Sequence, residues 1–506
     1  DYLYLEEGAT VSSAAYGSGA AGEVLITSSD VFINGFGAEE LTGIFSDTYG
    51  PGDAGSVFLQ VTDDIFIENE GFISSVTFGS GNAGTVFVES YNLFINNEPG
   101  LNFTGITSQT QGAGAGGDVT IHNQGNIELA NTAFINSTAF DQGDAGTVNV
   151  KSGNLIIDGI YGTASISSDT ESTGDAGSIN IEIAETLHIK QGGNISSSTF
   201  GPGKAGSINI VSQRLLMEGL NASIIASAGN EIDSSGQTGS LLIHVDEKIS
   251  LDNGASISIE NNANVLDASV IEPSSLVVDA NQIFINEAVI TAASTGNVDA
   301  SNIIISPSSQ FKMTSGYVLT AAEDGNGGQV SINGSGLLFL DNSVITTSVN
   351  GITGNGGDIL IDMDSLVLNT GFIQANTVAN DAFGGDILIQ VPVLAASANS
   401  LITGGDEQFE FVPGYYGFNV IQAAAPDGVS GNIDITAPDL DLSGSLNVLD
   451  IPFFDSGGLG RNPCETTYGS SFSLAGRGSL PESSEQPLSV IGDAPEKSSS
   501  SVKCVL

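Results

Sequence analysis

The octapeptide GDAGSVFL occupies residues 52–59 and returns as GNAGTVFV at 81–88, GDAGTVNV at 143–150, GDAGSINI at 174–181 and GKAGSINI at 203–210. Each copy joins a turn of small residues to a run in which apolar side chains alternate with others. Alternation of period two buries one face of a strand and wets the other. A turn and strand that return at a fixed interval mark a stack of similar units rather than a single folded core.

With the last glycine of the turn as a mark, the series runs Gly22, Gly55, Gly84, Gly117, Gly146, Gly177, Gly206 and Gly239. Ser269 and Ser301 stand in its place next, followed by Gly328, Gly357 and Gly385. The step averages about 30 residues, in the solenoid range. Two and four residues past each mark come pairs such as Val57/Leu59, Val119/Ile121, Ile179/Ile181 and Ile359/Ile361. Only the Ser269 rung breaks the pattern, with Pro273 soon after Ile271. A second strand follows in each unit, as VFIN at 31–34, IFIE at 65–68, LFIN at 93–96 and LIID at 155–158. A third is rich in Ser and Thr: ISSV at 73–76, ISSD at 166–169, ISSS at 195–198 and VITT at 344–347.

No stretch shows helical periodicity. Three short strands cannot bury their own inward face, but a stack of such units can, each strand pairing with its equivalent one coil along. The expected fold is all-β: a single-stranded right-handed parallel β-helix (solenoid) of about 13–14 coils, about 30 residues per coil, over residues 1–450. The right hand follows from the handedness of parallel crossovers. The Gly and the Asn or Asp of the turn are expected to supply a positive-φ corner. An irregular insertion near 398–418, including SLITGGDEQFEFVPGYYGF at 400–418, is expected to pack on the solenoid flank, a contact site being the other reading. A last coil is expected in GNIDITAPDLDL at 431–442. Residues 451–506 read as a C-terminal Cys-containing segment with a tail disordered from about 482.

Composition narrows the function. The chain has 66 glycines and no tryptophan, and 59 acids against 10 Lys and Arg give a net charge of −49. Such a surface repels nucleic acid and anionic membranes. No apolar run is long enough for a membrane-spanning helix. Asp1 is not followed by a basic and apolar leader, so the chain reads either as processed or as a fragment. Cys464 and Cys504 leave the repeats free of thiols, which fits an oxidising exterior, and they are read either as bridged or with one left free.

A catalytic reading finds little support. Pectin-cleaving β-helices cluster Asp residues with basic partners on one face. Here His122 and His244 share a face but stand four coils apart, His188 lies on another strand, and the solenoid holds only Arg214. The acidic pair in TDD at 62–64 lacks such partners. The GGD turns at 116–118, 356–358 and 384–386 return too rarely for a calcium-binding nonapeptide array. No catalytic residue, metal ligand or cofactor is therefore expected, beyond incidental Ca2+ neutralising stacked carboxylates.

Contact chemistry points elsewhere. In the triplets VFI, IFI and LFI the middle residue faces outward, which places Phe32, Phe66 and Phe94 on three consecutive coils. The same position then reads Glu128, Ile156, His188, Leu216, Ser250, Phe284, Lys312 and Phe339. Aligned phenylalanines form either an aromatic ladder covered within the fold or a lateral site for another rod or a ligand.

The unit LHIKQGGNISSSTFGPGKAGSINI at 187–210 resembles the repeats of filamentous-haemagglutinin-like exoproteins of the cyanobacterial type. The ending, NIDITAPDLDL at 432–442 followed by a Cys and SSFSLAGRGSLP at 470–481, is similar to that family's C-terminal signature. The resemblance implies a secreted or cell-surface adhesin exported by two-partner secretion, with an outer-membrane transporter as partner. It also implies that this chain is the C-terminal portion of a longer protein. The expected function is a non-catalytic extracellular rod for adhesion to cells, glycans or neighbouring proteins, with self-association included. A polysaccharide-degrading, pectinase-like β-helix enzyme and a structural sheath or matrix protein are the alternatives.

Overall fold

Among the described residues each main strand pairs in parallel with its counterpart one coil along. Val57 lies between Val24 and Val86, and Ile179 between Val148 and Ile208. The computed structural model describes residues 1–229, 236–397, 400–415 and 417–437. Within the unit Asp1–Pro438 they form a parallel β-solenoid of about 13 turns, roughly 29 residues per turn. A typical coil has strands Val57–Val61, Asp64–Glu68 and Gly71–Thr77. From Ile179 to Thr314 the first two strands run on as one, as in Ile179–Ile189 and Ile208–Glu218, with the register shifting at the corner; beyond that the second and third strands join instead, as in Leu337–Thr346 and Ser365–Gln374. No α-helix occurs among the described residues; a short 3-10 turn lies at Ala268–Val270.

The inward positions build one continuous core. Ile65, Ile121, Ile179, Ile243 and Ile303 are all fully buried, each stacked on apolar residues of the coils above and below. Burial of such a side chain contributes roughly 1.5–3 kcal/mol. A single coil cannot achieve it, because two of the surfaces that cover each side chain belong to neighbours.

The weak rung is displaced rather than broken. Leu241 pairs with Leu276 and Ile243 with Val278, so the mark equivalent to Gly239 is Ser274, not Ser269. The extra residues before it form a loop containing the 3-10 turn. Ser274 Oγ donates to the Thr238 carbonyl at 2.7 Å and ties the displaced corner down.

The corner itself works differently from expectation. None of the mark glycines has a φ in the left-handed region; a positive φ appears in the turn only three residues earlier, at Gly236, Gly325 and Gly354, and otherwise mostly between second and third strands, as at Asn69, Asn131, Asn221 and Asn253. The turn glycines instead answer to close approach. A Cβ on Gly81 would run into the carbonyl of Gly52, and one on Gly84 into that of Gly55. The Asp or Asn of the turn reaches the next coil: Asn82 N–H donates to Asp53 Oδ1 at 2.8 Å, and Ala115 N–H to Asn82 Oδ1 at 2.9 Å. The repeated turn is thus an inter-coil device.

Residues of the insertion pack on the solenoid flank. Phe411 meets Phe372 at 5.1 Å and Phe418 meets it at 5.6 Å. Val344, Phe372 and Val420 are buried beneath. After the insertion the stack resumes, Ile433–Thr436 pairing with Ile387–Gln390. The expected C-terminal segment 451–506, with Cys464 and Cys504, lies outside the described residues, as does the end of the coil expected at 431–442.

Candidate interaction surface on the solenoid wall

The second strand carries the column read from the sequence. Phe32 pairs with Phe66, Phe66 with Phe94, and Phe94 with Glu128. The series continues in register through Ile156, His188, Leu216, Ser250, Phe284 and Lys312 to Phe339. Phe66 stacks on Phe94 with ring centres 5.0 Å apart, while Phe32 and Phe66 are tilted at 6.3 Å. All three rings are half-buried. Tyr4, which the triplet pattern missed, heads the column and stacks on Phe32 at 4.8 Å. Its hydroxyl donates to Glu6, and this bond raises the phenol's pKa above its ordinary value.

Cations cover the later rings of the column. Lys248 Nζ stands 4.9 Å from the ring centre of Phe284, and Lys312 Nζ 5.6 Å from that of Phe339. His188 pairs with Glu218 at 2.9 Å. His122 and His244 lie on the first-strand face, in the column that also holds Lys151, Glu182 and Val211. The three histidines are not brought together.

A second aromatic column was legible and was missed. It lies six residues before the mark: Tyr16, Tyr49, Phe78, Gln111, Phe140, Glu171 and Phe200. The parallel pairing of Thr48, Thr77, Thr110, Ala139, Thr170 and Thr199 just ahead of them aligns the series. Tyr16 stacks on Tyr49 at 4.9 Å and Tyr49 on Phe78 at 4.7 Å, both pairs within 4° of parallel. The exposures of Tyr16, Tyr49 and Phe78 are 78%, 47% and 40%. In such a stack the ring faces cover one another and the edges point to solvent. The result is a narrow apolar ridge rather than a flat platform.

Two acids beside this column, Asp47 next to Tyr49 and Asp169 several coils along next to Glu171, have pKa values raised by their environment. Asp47 is buried; its Oδ1 accepts the Val76 N–H at 3.0 Å, and burial pushes its carboxyl up to about 6. Asp169 accepts the Ser198 N–H at 2.9 Å and is pushed up to about 7, again mainly by desolvation.

On the first-strand face a groove of about 570 Å3 runs over Asn149, Asn180 and Asn209. Asn180 Nδ2 donates to Asn149 Oδ1 and Asn209 Nδ2 to Asn180 Oδ1, both at 2.9 Å, and Lys151 and Glu182 pair at 2.7 Å on its edge. Elsewhere, Asp64 of the TDD pair accepts from Asn92 Nδ2 at 2.9 Å, and Arg214 lies 3.8 Å from Glu247. Among the described residues no three His, Cys, Asp or Glu side chains gather closely enough to hold a metal ion, and no helix is long and apolar enough to cross a membrane. No family model, curated protein or solved structure matches the chain.

Proposed function

We propose that this chain is a non-catalytic rod of the adhesin type, secreted or held at the cell surface, whose aromatic ridges contact cells, glycans or neighbouring proteins, copies of itself included. The observation that carries the reading is the exposed stack Tyr16–Tyr49–Phe78. Contiguous exposed apolar surface on a soluble protein marks an interaction site, and aromatic side chains are the usual anchors of an interface. A net charge of −49 keeps such a rod dispersed at low ionic strength and makes contact salt-dependent. The resemblance to filamentous-haemagglutinin-like exoproteins fits the same reading and supplies its export route, through an outer-membrane transporter.

Two triple variants test it, Tyr16/Tyr49/Phe78→Ser and Phe32/Phe66/Phe94→Ser. Sedimentation and adhesion to immobilised cells are measured beside thermal unfolding. Reduced self-association or adhesion in a variant that unfolds near the wild-type temperature supports the proposal. Unchanged association per folded molecule in both variants overturns it.

A further inference from the structure

The insertion does more than cover the flank. Between its inner edge and the third-strand wall lies a cleft of about 470 Å3, a size typical of small-ligand sites, roughly 300–1,000 Å3. The roof is Phe409 to Phe411, and the floor includes Tyr317, Thr346 and Gln374.

The roof is fixed in place. Gln374 Nε2 donates to the Phe409 carbonyl at 2.6 Å, the Phe409 N–H donates to Gln422 Oε1 at 3.0 Å, and Gln408 Nε2 donates to the Thr377 carbonyl at 2.8 Å. Phe411 is held edge-on between Tyr317, at 5.8 Å, and Phe372, at 5.1 Å. A site organised in advance spends little of its binding energy on ordering itself.

The lining defines the ligand. Gln374 is only 6% exposed, and with its Nε2 committed to the roof its Oε1 has no hydrogen-bond partner among the described residues. Among the described residues the hydroxyl of Tyr317 and the side-chain amide of Asn350, both lining the cleft, also make no hydrogen bond. Amides and hydroxyls both donate and accept, as sugar hydroxyls do. Phe409 and Phe411 offer aromatic surface to C–H groups. Among the described residues no Lys, Arg or His lines the cleft and Glu410 does, which disfavours an anion. An apolar ligand would leave Gln374 unsatisfied, at a cost.

We infer that the cleft between the insertion and the third-strand wall binds a neutral saccharide, hydrogen-bonded by Tyr317, Asn350 and Gln374 and packed against Phe411. The site is separate from the aromatic ridges, so the two proposals stand or fall independently.

The test is calorimetric titration of the 506-residue chain with cellotetraose, maltotetraose, laminaritetraose and mannotetraose. Oligogalacturonate and chitosan oligomers serve as anionic and cationic controls. At least one neutral tetramer is expected to bind and to slow amide exchange at residues 409–411. Tyr317→Phe and Asn350→Ala, which leave the roof bonds intact, should each weaken binding about three- to tenfold, the worth of one hydrogen bond. Phe32/Phe66/Phe94→Ser should bind normally, whether or not it still adheres. Binding of the charged oligomers alone, equal affinity in both cleft variants, or no binding across the neutral panel would each overturn the assignment.

Discussion

The hydroxyl of Ser75 accepts the backbone N–H of Gly84 at 2.8 Å, while donating to the carbonyl of Gly55 at 2.9 Å. One buried side chain thus clamps the turns on both sides of a coil. Ser46, Ser108, Ser168 and Ser197 repeat the arrangement with their own glycines. This accounts for the second serine of the ISS motif. It points inward and completes the hydrogen bonding of a turn whose glycines are too close to the neighbouring coil to carry side chains.

Ser75→Ala should therefore cost about 1–2 kcal/mol, because the Gly84 N–H loses its partner inside the fold. Thr120→Ala, on the wet face of a first strand, should stay within about 0.5 kcal/mol. Hydrogen exchange at the Gly84 amide is the direct readout. Equal protection in the two variants would remove the clamp from the account.

Gly81→Ala places a methyl group against the carbonyl of Gly52, so the two coils must separate locally. The expected loss is on the order of 2–4 kcal/mol, as for other overpacking and strain. Gly19→Ala is the control, since a Cβ there meets nothing within 4 Å. Denaturant midpoints of the pair should differ clearly; matching midpoints would show that the glycine columns tolerate a side chain.

Ile181 is 2% exposed and stacked between Val150 and Ile210. Ile181→Asp buries a carboxylate without a partner and should cost several kcal/mol, roughly 3–5, or shift its own pKa upward to avoid the charge. Asn180→Asp faces outward and loses only the bond from Nδ2 to Asn149, a change of about 1 kcal/mol. Unfolding monitored coil by coil through hydrogen exchange suits a stack whose units can open separately. Similar effects from the two substitutions would invalidate the assignment of faces.

Burial holds Asp47 and Asp169 above the ordinary carboxylate value of 3.8, at about 6 and about 7. Above that value the unfolded chain releases these protons while the folded chain keeps them. Stability therefore falls as pH rises from near 4 through 7, and levels off beyond. Asp47→Asn with Asp169→Asn should flatten this part of the profile and stabilise the protein at pH 8 by on the order of 1–3 kcal/mol. The difference between wild type and variant isolates the two groups from the other acids. An unchanged slope, or one of opposite sign, would contradict the burial argument.

Much of the architecture was legible in the sequence because parallel in-register stacking turns a fixed offset from the mark into a column in space. That rule places Val57 on Val86 and sets His122 in line with His244 four coils away, and the second-strand column from Phe32 to Phe339 follows it with an offset of ten or eleven residues, the register shifting at the corner. The Tyr16–Tyr49–Phe78 ridge obeys it too, counted backward from the mark instead of forward.

What the sequence could not decide depends on neighbours rather than on residue type. Glycine in the repeated turn is compatible with a positive φ or with close approach, and only the carbonyl of the coil beneath selects the second. Spacing sets the mark at Ser269, although Leu276 and Val278, two and four residues past Ser274, fit the apolar pair better, and the pairing of Leu241 with Leu276 and Ile243 with Val278 selects Ser274. The raised pKa values of Asp47 and Asp169 come from the layers around them, and the cleft exists only because the insertion returns onto a wall built from residues up to about 100 positions earlier, from Tyr317 to Glu410. Local pattern sets the period of this chain; the packing of one coil on the next determines what each position in that period does.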